Sequence, residues 1–183
     1  MAPAVGLPTA EPEALGVEIQ NMYLRDIAVS VHRDFALPGG IHHRDFNIGT
    51  HAAAIAFQRA LPKKYKFCNF VKVNIVLSSK PERDKTFKNQ VDVATYYHEG
   101  FPFDAYLSKT RGEQEQILLA TIRDAMLAMI EFTGADPEPI MLAYHRVLDQ
   151  DFPLDNSWVK QMEERIRRRK TQQTVGSAGR PAP

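Results

Sequence analysis

Two runs decide how this chain is read: Phe67-Cys68-Asn69-Phe70-Val71-Lys72-Val73-Asn74-Ile75-Val76-Leu77 and Phe87 to Tyr97 (FKNQVDVATYY). In the first, Phe67, Val71, Val73, Ile75 and Leu77 share one phase of a two-residue alternation, the mark of a strand with one buried side. In the second, Phe87, Val91, Val93, Thr95 and Tyr97 alternate with Lys88, Gln90, Asp92 and Ala94. Between them, Ser78 to Lys85 (SSKPERDK) is polar and carries a proline, as a turn does. Together the runs predict an antiparallel hairpin with one face toward the core. The phase of the second run turns Tyr97 inward and Tyr96 outward. Cys68, opposite Phe67 and Val71, reads as a small packed strand residue; a reactive thiol would want an electropositive, partly exposed setting.

Working outward, Ile27, Val29 and Val31 repeat the two-residue spacing within Ile19 to Val31 and predict a further strand. A helix is expected from about Thr50, as its cap, to Leu61, with Pro62 just past its end. After the hairpin the period changes. Leu118, Ile122, Ala125, Met126 and Met129 recur at three- and four-residue steps, so Gly112 to Phe132 reads as an amphipathic helix. Glu113 and Glu115 suit its positive start, and Gly134 its stop. Ile140, Tyr144, Val147 and Leu148 mark a second helix opened near Asp136-Pro137; a third is expected over about Asn156 to Arg169. Strands first and helices after predict an α+β fold: an antiparallel sheet, including the central hairpin, packed against C-terminal helices. The ends read as a flexible leader over residues 1–16 and a disordered tail over residues 171–183, flanking one globular domain, 17–170.

Composition narrows function by exclusion. The 183 residues are 25% charged and 44% hydrophobic, ordinary for a globular chain. One cysteine excludes an intramolecular disulfide and a cysteine-based zinc cluster within one chain. No apolar run reaches the ~18–20 residues of a membrane helix, so no membrane partner is expected. The net charge of +1 conceals an asymmetry: residues 156–183 hold seven Lys/Arg against two Glu, whereas residues 1–155 hold 16 Lys/Arg against 20 Asp/Glu. An acidic body with a basic end is not a nucleic-acid-binding profile. The cluster Arg165-Ile166-Arg167-Arg168-Arg169-Lys170 either touches phosphate or an acidic protein, or is the solvated end of a terminal helix.

No phosphate-cradling glycine loop, dinucleotide fingerprint or nucleophile elbow occurs, and no cofactor is expected. The richest polar cluster is Ile41-His42-His43-Arg44-Asp45 with His51 nearby. His42, His43, Asp45 and His51 are chemically competent metal ligands, which makes a small metal-assisted hydrolase the alternative function. Their spacing matches no metal motif, and a surface loop before a helix is the favoured reading of them. Tyr96-Tyr97-His98-Glu99 ends the second strand; neighbours on a strand face opposite ways, so His98 and Glu99 form no direct dyad. Gly100 to Lys109 (GFPFDAYLSK) is the most distinctive string. Either it is an aromatic plug, or it presents Asp104 and Tyr106 to a partner. Tyr96, Glu99, Asp104 and Tyr106 are the candidate partner-binding residues.

The order of these pieces carries a resemblance. The alternating strands end in Gly100-Phe101-Pro102-Phe103-Asp104-Ala105-Tyr106-Leu107. A polar opening, Arg111-Gly112-Glu113-Gln114-Glu115-Gln116, leads into an amphipathic helix from Ile117-Leu118-Leu119 to Met129. Gly134-Ala135-Asp136 follows, and a second helix carries Ala143-Tyr144. Over Lys66 to Phe152 this pattern resembles the small bacterial immunity proteins encoded beside polymorphic toxins, including effectors of contact-dependent and type VI secretion. The resemblance implies a cytoplasmic, non-enzymatic protein that binds one cognate toxin and blocks its active site. It supplies no fixed set of functional residues, and it leaves self-association open.

Overall fold

Ile27, Val29 and Val31, and likewise Val73, Ile75 and Leu77, are buried at alternate positions, and this alternation builds the first two strands. The protein is described by a computed structural model over residues 22–32, 35–78, 87–90, 92–154 and 157. The strands are β1 (Asp26–Val31), β2 (Lys72–Leu77), β3 (Phe87–Gln90) and β4 (Val93–His98). The helices are α1 (His43–Ala60), α2 (Phe103–Leu107), α3 (Arg111–Thr133) and α4 (Glu138–Leu148). The sheet order is β1-β2-β4-β3.

The sheet is not the antiparallel one that the sequence suggests. β1 pairs with β2 in parallel, Val29 opposite Ile75, and β2 pairs with β4 in parallel, Ile75 opposite Tyr96. The only antiparallel ladder among the described residues is the short β3 against β4, with Gln90 opposite Val93. The two runs read as one hairpin are therefore side by side but co-directional. The second run contains the reversal: Phe87–Gln90 goes one way and Val93–His98 returns. A two-residue loop between Gln90 and Val93 suffices for such a return, and Asp92 is a polar residue of the kind that loops favour. The fold is therefore α/β in its core, with α1 carrying the chain across from β1 to the parallel β2 as such a connection requires.

That reversal shifts the phase of β4 by one residue, which on a strand exchanges the two faces. Ala94, Tyr96 and His98 lie on the side of Val73, Ile75 and Leu77. Tyr96 is half-buried against the core and Tyr97 is on the other face, opposite to the sequence expectation. Helices α1, α3 and α4 pack on one another, and α1 on β1 and α3 on β4 close the core. Leu118, Leu119, Ile122, Met126, Met129 and Ile140 are fully buried there with Phe57 and Phe67.

The helix ends follow local chemistry. Thr110 and Glu113 form a reciprocal capping box at the start of α3, with the Thr110 N–H donating to Glu113 Oε2 over 2.9 Å. Gly134 ends the helix in the left-handed conformation at φ 62°, the role its position suggests. Helix α1 begins seven residues before the expected start, so Thr50 is a buried mid-helix residue rather than a cap. Cys68 is likewise not in a strand. It sits at φ 53° in an exposed turn between Phe67 and Phe70, and β2 begins only at Lys72. The expected leader, the tail and the helix over Asn156 to Arg169 lie outside the described residues, apart from Ser157.

Two contacts fasten segments that have no regular structure. The Tyr65 hydroxyl donates to the Asp136 carbonyl over 2.6 Å, tying the loop after α1 to the α3–α4 connection. Glu115 is 2% exposed; it accepts from Arg111 Nε at 3.0 Å and from the Leu154 N–H at 2.6 Å. It thereby pins the segment after α4, with its cis Phe152–Pro153 bond, onto the first turns of α3. Gly112 lies under the same segment: a Cβ there would stand 3.2 Å from Phe152 Cβ.

Candidate functional site

Parallel strands all end on the same side, and the crevice beyond those ends is where open α/β sheets hold ligands. Here β1, β2 and β4 end at Val31, Leu77 and His98. The chain after β4 turns back over them, and the Phe101 N–H donates to the Ser78 carbonyl over 3.0 Å. Phe35 stacks on Phe103 at 4.5 Å between centroids, and Phe101 meets Phe103 at 4.8 Å and Tyr106 at 5.3 Å. Phe46, from the first turn of α1, packs on Tyr106 at 5.5 Å. Phe46, Phe101, Phe103 and Tyr106 are buried. Aromatic pairs at these separations add to their already large area burial. The usual ligand crevice is thus occupied by side chains.

The four candidate partner-binding residues surround this plug unequally. Tyr106 is 4% exposed, and burial, reinforced by the Glu115 charge, raises its hydroxyl pKa above the ordinary tyrosine value. Its ring belongs to the plug. Asp104 is exposed on the first turn of α2, where a carboxylate suits the helix start. Glu99 is partly exposed in the turn after β4. Tyr96 is half-buried; burial first, then the Glu99 and Asp124 charges, raise its pKa. Asp124, on α3, is the neighbour that sequence spacing did not reveal. It also faces His98, whose pKa is lowered by burial while the Asp124 charge opposes the shift. Helical periodicity places Asp124 beside the buried stripe of α3 but cannot say which strand lies under it. The strand ends therefore carry two carboxylates, Glu99 and Asp104, beside an apolar plug, while Asp124 on α3 is paired with Arg123 at 2.7 Å.

The histidine cluster does not assemble. His42 is exposed and immediately precedes α1; the His43 ring bonds to the Phe35 carbonyl. His51, two turns further along, lies within electrostatic reach of Asp26 and Lys72, which pair at 2.8 Å. Burial lowers the His51 pKa, the Asp26 charge raises it and the Lys72 charge lowers it. Among the described residues no three His, Cys, Asp or Glu side chains stand close enough to hold a metal ion. His42, His43 and Asp45 share only a shallow hollow. No helix among the described residues is long and apolar enough to cross a membrane. Compared with protein-family models, with curated proteins and with solved structures, the chain gave no match.

Proposed function

We propose that this protein binds a cognate secreted bacterial toxin in the cytoplasm and neutralises it by covering its active site. The observation that carries this reading is the aromatic plug. The sheet end where an α/β enzyme would open a substrate crevice is occupied by the rings of Phe35, Phe46, Phe101, Phe103 and Tyr106, which leave a hollow only beside the β1–α1 connection at His42, His43 and Asp45. A rigid, filled end bounded by Glu99, Asp104 and the edge of Tyr96 offers shape and negative charge to a partner. Tyr106 serves that surface from beneath, by holding α2 in place. The two carboxylates suit a toxin whose active-site cleft is basic.

Co-expression with the toxin-like product of the neighbouring gene tests this. The chain should restore growth and co-purify with that product, and changing Glu99 and Asp104 together to Lys should weaken the complex without unfolding the protein. Growth arrest that persists, with no complex formed, rejects the reading.

A further inference from the structure

A second surface lies far from the plug, where the C-terminal half of α1 runs beside the end of α4. It is a groove of about 640 Å3. Its floor is apolar and low: Ala52, Ala56 and Ala60, spaced four apart along α1, with Ile55 and Leu61 beside them. Small residues at that spacing let another backbone approach closely. Its rim is cationic. Arg59, Lys63 and Arg146 all line it, and among the described residues no carboxylate does. Arg146 donates to the Ala60 carbonyl over 3.2 Å, which places its guanidinium across the groove end. Arg59 and Lys63 are exposed and make no ion pair or hydrogen bond among the described residues.

We propose that this groove docks an acidic amphipathic segment of a partner protein, its apolar side on the alanine floor and its carboxylates among Arg59, Lys63 and Arg146. Charge complementarity selects the occupant: three cations without a counter-charge among the described residues favour an anion, and the apolar floor favours one with an apolar face. A nucleic acid would gain nothing from that floor and would meet a body of net charge −4 over residues 1–155. The proposal rests on the reading above only in making the occupant a protein; the groove can be tested without the toxin.

The probe is a fluorescein-labelled peptide of leucine and glutamate, with leucines at helical spacing, titrated with the full chain and read by anisotropy. A peptide with lysine in place of glutamate is the control. The acidic peptide should bind, more weakly as salt rises, and the lysine peptide should not. Arg59→Glu with Lys63→Glu removes no ion pair or hydrogen bond among the described residues; the chain should stay folded, with at most a small loss at the end of α1 where Arg59 suits the helix dipole, and binding should weaken about tenfold or more. Three results overturn the proposal: no binding of the acidic peptide, equal binding of the lysine peptide, or unaltered affinity in the charge-reversed chain. A fourth is tighter binding when Glu11, Glu13 and Glu18 are changed to Gln, which would make this chain's own acidic segment the occupant. Loss of toxin rescue with intact peptide binding would reject the function and spare the groove.

Discussion

The Thr50 hydroxyl lies 2.9 Å from the Val29 carbonyl, joining the middle of α1 to the outer margin of β1. β1 is an edge strand, and Asp26 and His32 turn their N–H groups toward β2, so Ile27, Val29 and Val31 turn theirs outward. Helix side chains meet those outward groups. Asn47 Oδ1 accepts from the Val31 N–H at 3.2 Å, the Thr50 hydroxyl shares its proton between the Val29 carbonyl at 2.9 Å and the Asn47 carbonyl at 2.7 Å, and Gln58 donates to the Arg25 carbonyl. Exposed edges invite pairing with other chains. Here one helix supplies partners to three of the outward groups, the Val31 N–H and the Val29 and Arg25 carbonyls.

Thr50→Val keeps the shape and removes the donor, leaving the Val29 carbonyl buried without it. Stability should fall by about 1–3 kcal/mol in urea unfolding. Thr50→Ser should recover most of the loss. A valine variant as stable as the parent would show that the edge contact is idle.

Glu115 holds the Leu154 N–H and Arg111 from a buried position. Glu115→Leu should destabilise by about 2–3 kcal/mol, because it removes the carboxylate acceptor of a buried amide. The Leu154 amide should then exchange its hydrogen much faster than in the parent. Unchanged protection at Leu154 would contradict the assignment.

Gly112 is the second residue of α3, where alanine is favoured over glycine by no more than the about 1 kcal/mol of a helix interior. Its Cβ would meet Phe152 Cβ at 3.2 Å, tighter than van der Waals contact, and the facing backbone is pinned by Glu115. The clash should outweigh the propensity: Gly112→Ala is expected to lower the melting temperature. A rise would mean that the segment yields freely.

Burial holds the His51 and His98 pKa values below the ordinary histidine value of about 6.5. The unfolded chain therefore takes up protons at these positions before the folded one does. Stability is fully present above about pH 6.5 and declines as the pH falls below it, by at most about 1.4 kcal/mol per pH unit for each histidine. Chemical denaturation between pH 7 and 5 should show this slope, and His51→Gln or His98→Gln should each flatten it. Slopes identical to the parent's would refute the burial argument.

What the sequence revealed divides along local and non-local lines. Helices α3 and α4, the Gly134 stop and the buried faces of β1 and β2 were legible because each is written in its own residues. The direction of β4 was not. Two alternating runs joined by a polar segment look the same whether the second returns at once or first folds a short strand of its own. Placing the reversal inside Phe87 to Tyr97 turned an antiparallel pair into a parallel one and exchanged Tyr96 with Tyr97. The start of α1 was missed for a related reason: Thr50 resembles a cap, and its true partner, Val29, is 21 positions away. The plug was legible as an aromatic string, while Phe35 and Phe46, which complete it, come from earlier in the chain. The alanine-floored groove lay beyond sequence reasoning, since α1 and α4 had no evident reason to be neighbours.

Leu154, whose N–H is tethered by Glu115, also forms part of the wall of the α1–α4 groove. One carboxylate near the start of α3 therefore sets the position of a wall on another face of the molecule. Slackening that tether would let Leu154 shift and so change the width of the groove without altering any of the residues that line it.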